Sequence, residues 1–339
     1  MGKLNILYLT ENLFDYNSSD YQINFIKNLK IFFNLYEYGP GYKFFDKRLN
    51  FQDIENNFSV KFDILFLGHS VLSDTNNFHY DSFSNIIKSK KKLPTVMFLN
   101  KEYVNLKEKL KFIDENDIKL VFSHHHISKY LNKLFNKKFI FIPFASTFEN
   151  QKLNFLKKFD LNFIGILKNL NKNYNHENTR EIIRNEIFFK LFNINLIKKK
   201  DFKNYNILWI NHPRNKFESL MLKFTNYKRL DNFNYLNAIS QSWLTLNTPS
   251  PYNIIGPRYY DALLLGSPII CPNRKFYNHY FDKNDLIQFE NLNDFKKKLD
   301  YNLKNKEQLK DKSLMLKKKY SSHNYYNRTK DICSHITKI

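Results

Sequence analysis

A chain of 339 residues, 42% of them hydrophobic, has room for about two ordinary domains, each with its own core. Its formal charge of +22 is carried by lysines spread along the whole length, with no arginine-rich arm and no aromatic-interleaved signature, so no nucleic-acid partner is expected. Two cysteines, Cys271 and Cys333, form no CxxC pair and exclude a cysteine-built metal site or disulfide framework, and no apolar run is long enough to span a membrane or serve as a signal peptide, which makes the cytosol the expected compartment.

Short apolar runs alternate with amphipathic stretches from the start. Leu4–Leu9 reads as a strand and Tyr21–Phe33 as a helix. Strands follow at Asp63–His69, Pro94–Asn100, Ile118–His124 and Phe139–Phe144, with helical segments between most of them. Residues 146–160 are polar and without period. The alternation then restarts with a strand at Asp160–Leu167, a helix at Glu177–Phe192 and a strand at Tyr205–Ile210. A helix from Tyr235, a strand at Trp243–Asn247, a short helix from Pro257 and strands at Ile269–Cys271 and Leu286–Glu290 complete the pattern. The remainder, from Asn291, is lysine-rich and largely helical. Apolar strands separated by helices imply parallel sheets covered on both faces. The expected architecture is α/β, with two Rossmann-like domains over 1–150 and 151–315 and a helical tail over 316–339, the two domains facing across a cleft.

Ligands of open α/β sheets bind where the strands end, so the strand-end loops carry the candidate chemistry. No Gly-rich dinucleotide fingerprint follows the first strand, which reads Thr10-Glu11-Asn12, and there is no P-loop, serine elbow or HExxH. Gly165 ends a strand, and Lys168 and Lys172 just beyond it are either solvated turn lysines or cations for a diphosphate. His69, after Gly68, is either a sheet-capping histidine or a catalytic group. Glu102 is either a base or one half of an ion pair. His124-His125-His126 does not read as a metal site, because consecutive side chains do not converge on one ion and no acidic or cysteine partner is near in sequence. Arg258 and Asp261 share one face of the short helix, whose N-terminus, behind Gly256, suits a phosphate.

Tyr235 to Cys271 is similar to the donor-binding half of bacterial group 1 glycosyltransferases of the GT-B fold, and among these to the spore-maturation-type branch. Leu246-Asn247, Arg258, Gly266 and the following strand match that branch's Leu-Asn and Arg-x-x-Glu-x-x-Ala-x-Gly elements, with Asp261 in the place of Glu and Leu264 in the place of Ala. Two further runs fit: His323-Asn-Tyr325-Tyr326-Asn-Arg328 resembles the branch's His-x-Tyr-x-x-Arg ending, and Ile142-Pro143-Phe144-Ala145 resembles the strand end that closes its first domain. The wider superfamily often carries two glutamates eight positions apart; here Asn253 and Asp261 stand there.

The resemblance implies an enzyme that moves a sugar from a nucleoside-diphosphate sugar to an acceptor hydroxyl in glycan or glycoconjugate assembly. It implies no cofactor and no metal. Asn247, Asn253, Gly256 and Asp261 would line the donor site, with Asp261 on the ribose and Arg258 and Lys168 on the phosphates. His69 and Glu102 stand as catalytic candidates on the acceptor side. The implied acceptor is a glycan, lipid-linked or protein hydroxyl, and the net charge adds peripheral contact with an anionic membrane, on its inner face. The Asn253 and Asp261 departures leave a second reading open: a non-catalytic two-domain nucleotide- or sugar-binding protein, or a degenerate transferase.

Overall fold

The computed structural model describes residues 2–12, 20–72, 80–90, 92–102, 104–135, 138–148, 152, 154–166, 207–212, 232–248 and 253–339. The chain divides into two compact units, Met1–Thr147 with His323–Ile339, and Phe148–Ser322.

The first unit holds six strands, β1 (Asn5–Leu9), β2 (Asn34–Tyr38), β3 (Ile64–Leu67), β4 (Thr95–Leu99), β5 (Leu120–Ser123) and β6 (Lys138–Phe141). They form one parallel sheet in the order β2-β1-β3-β4-β5-β6. Its helices are α1 (Asp20–Phe32), α2 (Phe51–Phe58), α3 (Tyr80–Ser89), α4 (Leu106–Glu115), α5 (Ser128–Leu134) and, from the far end of the chain, α10 (Tyr325–Ile336).

Alternate side chains of a strand point to opposite faces, and here both faces are apolar. Leu7, Leu9, Leu65, Leu67, Met97, Leu99 and Val121 pack against Ile54, Phe83, Ile86, Phe112 and Leu131 of α2 to α5. Ile6, Tyr8, Phe66, Val96, Phe98, Leu120 and Phe122 face the other way, under Phe25, Ile26 and Leu29 of α1 and Tyr325, Ile332 and Ile336 of α10. Continuous apolar runs are what a sheet covered twice requires. The edge strand β2 is mostly half-exposed and carries Asn34 and Glu37, so it shows no such run and is absent from the sequence reading.

The chain leaves β1 for β2 on one side and returns to β3 on the other, so the topological switch lies between β1 and β3. The strand ends are tied together there. Ser70 Oγ accepts from Glu11 N at 2.7 Å and lies 3.1 Å from Thr10 Oγ1. At Gly68 an added Cβ would sit 2.7 Å from the Tyr8 hydroxyl and 2.9 Å from the Leu9 carbonyl oxygen, so only glycine admits this approach.

The second unit holds β7 (Phe159–Ile166), β8 (Ile207–His212), β9 (Ser242–Leu246), β10 (Ile269–Pro272) and β11 (Ile287–Phe289), parallel in the order β11-β10-β9-β7-β8. Its described helices are α6 (Asn232–Ser240), α7 (Pro257–Leu264), a 3-10 turn (Lys275–His279), α8 (Leu292–Lys304) and α9 (Lys306–Tyr320). Leu161, Phe163, Leu244, Leu246, Ile270 and Phe289 meet Phe295 and Leu299 of α8 and Leu309 of α9. The switch in this sheet lies between β7 and β9. The helix expected at Glu177–Phe192 lies outside the described residues.

Helix α7 closes with Gly266 at φ +68 and a Ser267 N–H donated to Ala262 O at 2.9 Å, a left-handed stop. Lys157 fastens the same region. Its Nζ donates to the carbonyls of Ser240 (3.0 Å), Ser242 (2.7 Å) and Gly266 (2.9 Å), which join the end of α6, the start of β9 and the end of α7. Burial pushes its ammonium down to about 8. A Lys157→Met variant keeps the aliphatic stem and strands three carbonyls. It is expected to lose about 2–4 kcal/mol in denaturant unfolding of the second unit; an unchanged midpoint would show that water replaces the ammonium without cost.

Candidate active site

In the second unit the candidate residues lie at two places in the chain, Asn247 just past β9 and Gly256, Arg258 and Asp261 at and within the start of α7. Asn247 is the first residue past β9, at the switch point, held by its own N–H on Ile270 O at 3.1 Å. Its side chain is buried at 1% exposure, yet neither the amide oxygen nor the amide nitrogen has a hydrogen-bond partner. The neighbouring Thr248 Oγ1 and Arg258 Nε are likewise buried and unsatisfied. Buried polar atoms are almost always paired, so these orphans call for an explanation.

Gly256 caps α7 without a side chain, and an added Cβ there would meet nothing within 4 Å. Gly256 thus has open space on its Cβ side, and Pro257 stands in the first helical position, where a missing N–H costs nothing. Arg258 follows, half-buried. Asn253 is exposed and adopts φ +58, a left-handed conformation that asparagine tolerates.

Asp261 is fully buried. Its Oδ2 accepts from the Tyr235 hydroxyl at 2.8 Å, and that hydroxyl is also hydrogen-bonded by Arg258. Burial and the Asp261 charge both raise the Tyr235 phenol, which stays protonated and able to donate. The carboxylate thus sets the tyrosine, and the tyrosine sets the guanidinium. Tyr235 is missing from the sequence reading as a site residue because its partner stands 26 positions away. Lys168 lies outside the described residues.

In the first unit, Glu102 follows β4 and is buried beside Ser123, whose Oγ donates to Glu102 Oε1. Burial raises its carboxyl; the Ser123 hydrogen bond and the Lys109 charge oppose this. Lys109 is itself buried and donates from Nζ to the carbonyls of Asn100 (2.8 Å) and Lys101 (3.0 Å), fixing the turn that carries Glu102.

His69 follows Gly68 past the end of β3, buried at 2% exposure. Its ring stacks on Phe98 with centroids 4.0 Å apart and meets the edges of Phe25 and Tyr21. Its Nε2 lies 3.4 Å from Nε2 of His124, and its Nδ1 has no partner. His124 stacks on Phe144 at 3.7 Å and bonds from Nδ1 to Ile142 O at 2.7 Å. The Ile142-Pro143-Phe144 run also supplies the Pro143 carbonyl to Arg328 Nε at 3.0 Å, while Arg328 Nη2 bonds His323 Nδ1 at 2.6 Å. The two sequence motifs singled out at the ends of the chain's two halves therefore meet on the first unit. The histidine triplet does not converge: His125 Nδ1 accepts from Ile127 N at 3.0 Å. Among the described residues no group of three His, Cys, Asp or Glu side chains could hold a metal ion.

Residues 202–334 match a family model described as glycosyl transferase-like. That span is under half of the chain and includes Asn247, Gly256, Arg258, Asp261 and Arg328. Comparison with curated proteins finds no match. Among solved structures the chain is similar to sucrose-phosphate synthase from Thermosynechococcus elongatus, at 8% identity and TM-score 0.60, covering 99% of each chain. It is similar to the DNA-modifying enzyme β-glucosyltransferase, at 15% identity and TM-score 0.57, covering 98% of this chain and 100% of that one. It is also similar to HepE from Anabaena, solved with UDP and glucose, at 10% identity and TM-score 0.57, covering 99% and 100%. The fold is that of the GT-B glycosyltransferases, and the family model and these neighbours together support a glycosyltransferase.

Proposed function

We propose that the protein transfers a sugar from a nucleoside-diphosphate sugar to an acceptor hydroxyl, and that the second unit holds the donor. The observation that carries this is that three side chains of the second unit are buried without hydrogen-bond partners, Asn247 and Thr248 past the end of β9 and Arg258 Nε in the first turn of α7, whose N-terminus has no side-chain cap. Such a set matches a nucleotide sugar. The amide and hydroxyl suit sugar or ribose oxygens, and the guanidinium and helix amides suit a diphosphate.

In this reading the leaving diphosphate gains charge as the glycosidic bond breaks, and Arg258 with the α7 N-terminus stabilises it without a metal. Asp261 acts through Tyr235 to aim Arg258, and Lys168 adds a second cation. Asn253 and Gly256 border the donor. On the first unit, His69 is the candidate proton acceptor, and Glu102 supports the sheet edge through Ser123. The motif pattern fits the spore-maturation-type branch. The acceptor is a hydroxyl of a glycan, a lipid-linked sugar or a protein. The two free cysteines favour a cytosolic enzyme, and the excess of lysine favours work against the anionic inner face of a membrane; no helix among the described residues is long and apolar enough to cross one.

A panel of UDP, GDP, ADP and CMP sugars tests this. One of them should raise the melting temperature and be turned over to free nucleotide. Arg258→Ala should lower that turnover about tenfold or more, and near-normal kinetics would remove Arg258 from the site. Protection against melting with no release of nucleotide from any donor would make the protein a binder instead.

A further inference from the structure

One edge of the first unit carries exposed apolar side chains among unspent lysines. From Ile118 to Phe148 the chain has five lysines and no acidic residue. Helix α5, within that stretch, buries Ser128 and Leu131 and turns Tyr130 and Leu134 outward, 59% and 56% exposed and one helical turn apart. Lys129 and Lys133 form the neighbouring row, also exposed. Phe135, which ends the helix, is 40% exposed. Beside it opens a cavity of about 400 Å³. Leu110 and Ile113 of α4 and Phe139 of β6 line this cavity with Phe135, and Lys107, Lys111 and Asp114 of α4 border it.

The lysines are not taken up by the protein's own carboxylates. Lys107 and Lys133 make no ion pair among the described residues. Lys129 places its ammonium 5.0 Å from the ring centre of Phe141 rather than on an acid. Lys111 is paired with Glu115 at 3.5 Å, but both side chains are exposed, where such a pair is weak. Large apolar side chains gathered at one surface mark a contact, and the basic residues beside them select its partner. Protein interfaces are enriched in arginine and depleted of lysine, and α4, α5 and β6 contain no arginine. Lysine is a flexible point charge on an apolar stem. It suits a surface whose negative charges move about, and tyrosine suits a boundary that is apolar on one side and wet on the other.

We propose that the α4–α5 edge of the first unit docks on an anionic lipid bilayer. Tyr130, Leu134 and Phe135 enter the boundary between headgroups and acyl chains, the cavity beside Phe135 receives an acyl segment, and the lysines of α4 and α5 lie over the headgroup phosphates. This rests on the proposal that the protein works against an anionic membrane, and gives that contact a place, which net charge does not.

Sedimentation of the full chain with vesicles tests it. The chain should pellet with phosphatidylcholine vesicles containing about one-third phosphatidylglycerol and not with phosphatidylcholine alone, and raised salt should release it. Lys129→Gln with Lys133→Gln should weaken the partition about 25-fold, or about fivefold for each charge. Tyr130→Ser with Leu134→Ser should weaken it about tenfold or more and leave the unfolding midpoint unchanged, because both side chains already stand in water. Lys310→Gln with Lys318→Gln removes two exposed charges from α9 of the second unit and should leave the partition within about twofold of the native chain. No pelleting with the anionic vesicles would overturn the membrane contact itself. Pelleting that both first-unit pairs leave unaltered, or that the α9 pair weakens equally, would overturn this face and leave net charge as the cause. A larger species of the native chain in size exclusion, lost in Tyr130→Ser with Leu134→Ser, would overturn it in favour of a second copy of the chain. Donor turnover is measured without vesicles, so failure of every donor would overturn the transferase reading while the vesicle partition judges this face by itself.

Discussion

Removing His323–Ile339 is expected to abolish the cooperative unfolding transition of the first unit. One face of its sheet is covered by α1 and α10, and α10 brings Tyr325, Ile332 and Ile336 to that core, each at 3% exposure or less. Fully burying three such side chains contributes roughly 5–9 kcal/mol, comparable to the whole stability of an ordinary domain at about 5–15 kcal/mol. The deletion also frees the Pro143 carbonyl from Arg328 and bares the apolar row from Val96 to Phe122. A milder variant, Ile332→Ala, should cost about 2–5 kcal/mol. Denaturant unfolding followed by circular dichroism and by limited proteolysis would check both. A deleted chain that keeps a protease-resistant fragment spanning residues 1–147 would contradict the role given to α10.

Mild acid is expected to destabilise the first unit before the carboxylates begin to titrate. His69, His124 and His323 are all held below their usual values, chiefly by burial. A group depressed in the folded state contributes stability that is complete above its unfolded value, near 6.5, and is lost as the pH falls toward the folded one. For His124, lowered to about 3, the loss reaches about 2.5–3 kcal/mol by pH 4.5. His69 changes in the same direction and adds to it. His323 is nearer to solvent and its part is smaller. Urea midpoints between pH 7.5 and 4.5 would show the slope, and His124→Gln should flatten it. A midpoint constant over that range would mean that the buried rings take up protons without loss of structure.

Much of the fold was legible because parallel strands buried on both faces are written as unbroken apolar runs. Ile64–Leu67 and Thr95–Leu99 could be read at sight. Asn34–Tyr38 could not, since an edge strand keeps its polar residues. The amphipathic pattern of Tyr325–Ile336 declares a helix with one buried face, but not which core receives that face. Among the site residues, sequence placed Asn247, Gly256 and Arg258 at a strand end and a helix start. It did not disclose that the Asn247 amide has no partner, because satisfaction is a property of neighbours. Asp261 was read as the residue on the donor's ribose; sequence did not disclose that its carboxylate is fully buried and bonded to Tyr235 of α6. The His69–His124 contact joins positions 55 apart, across the Phe98 ring, and no periodicity encodes it.

The first unit is discontinuous in sequence, with Phe148–Ser322 interposed between β6 and the segment that completes it. On the ribosome, the six-stranded sheet emerges with one face covered by α1 alone and stays so until the whole second unit has been translated. During that interval Phe122, which His335 of α10 meets, and the rest of the α10 footprint present an open apolar surface, of the kind that aggregates or recruits chaperones. Maturation is therefore timed by residues that follow the whole second unit, and a message stalled before them would yield a chain whose first sheet is adhesive rather than inert.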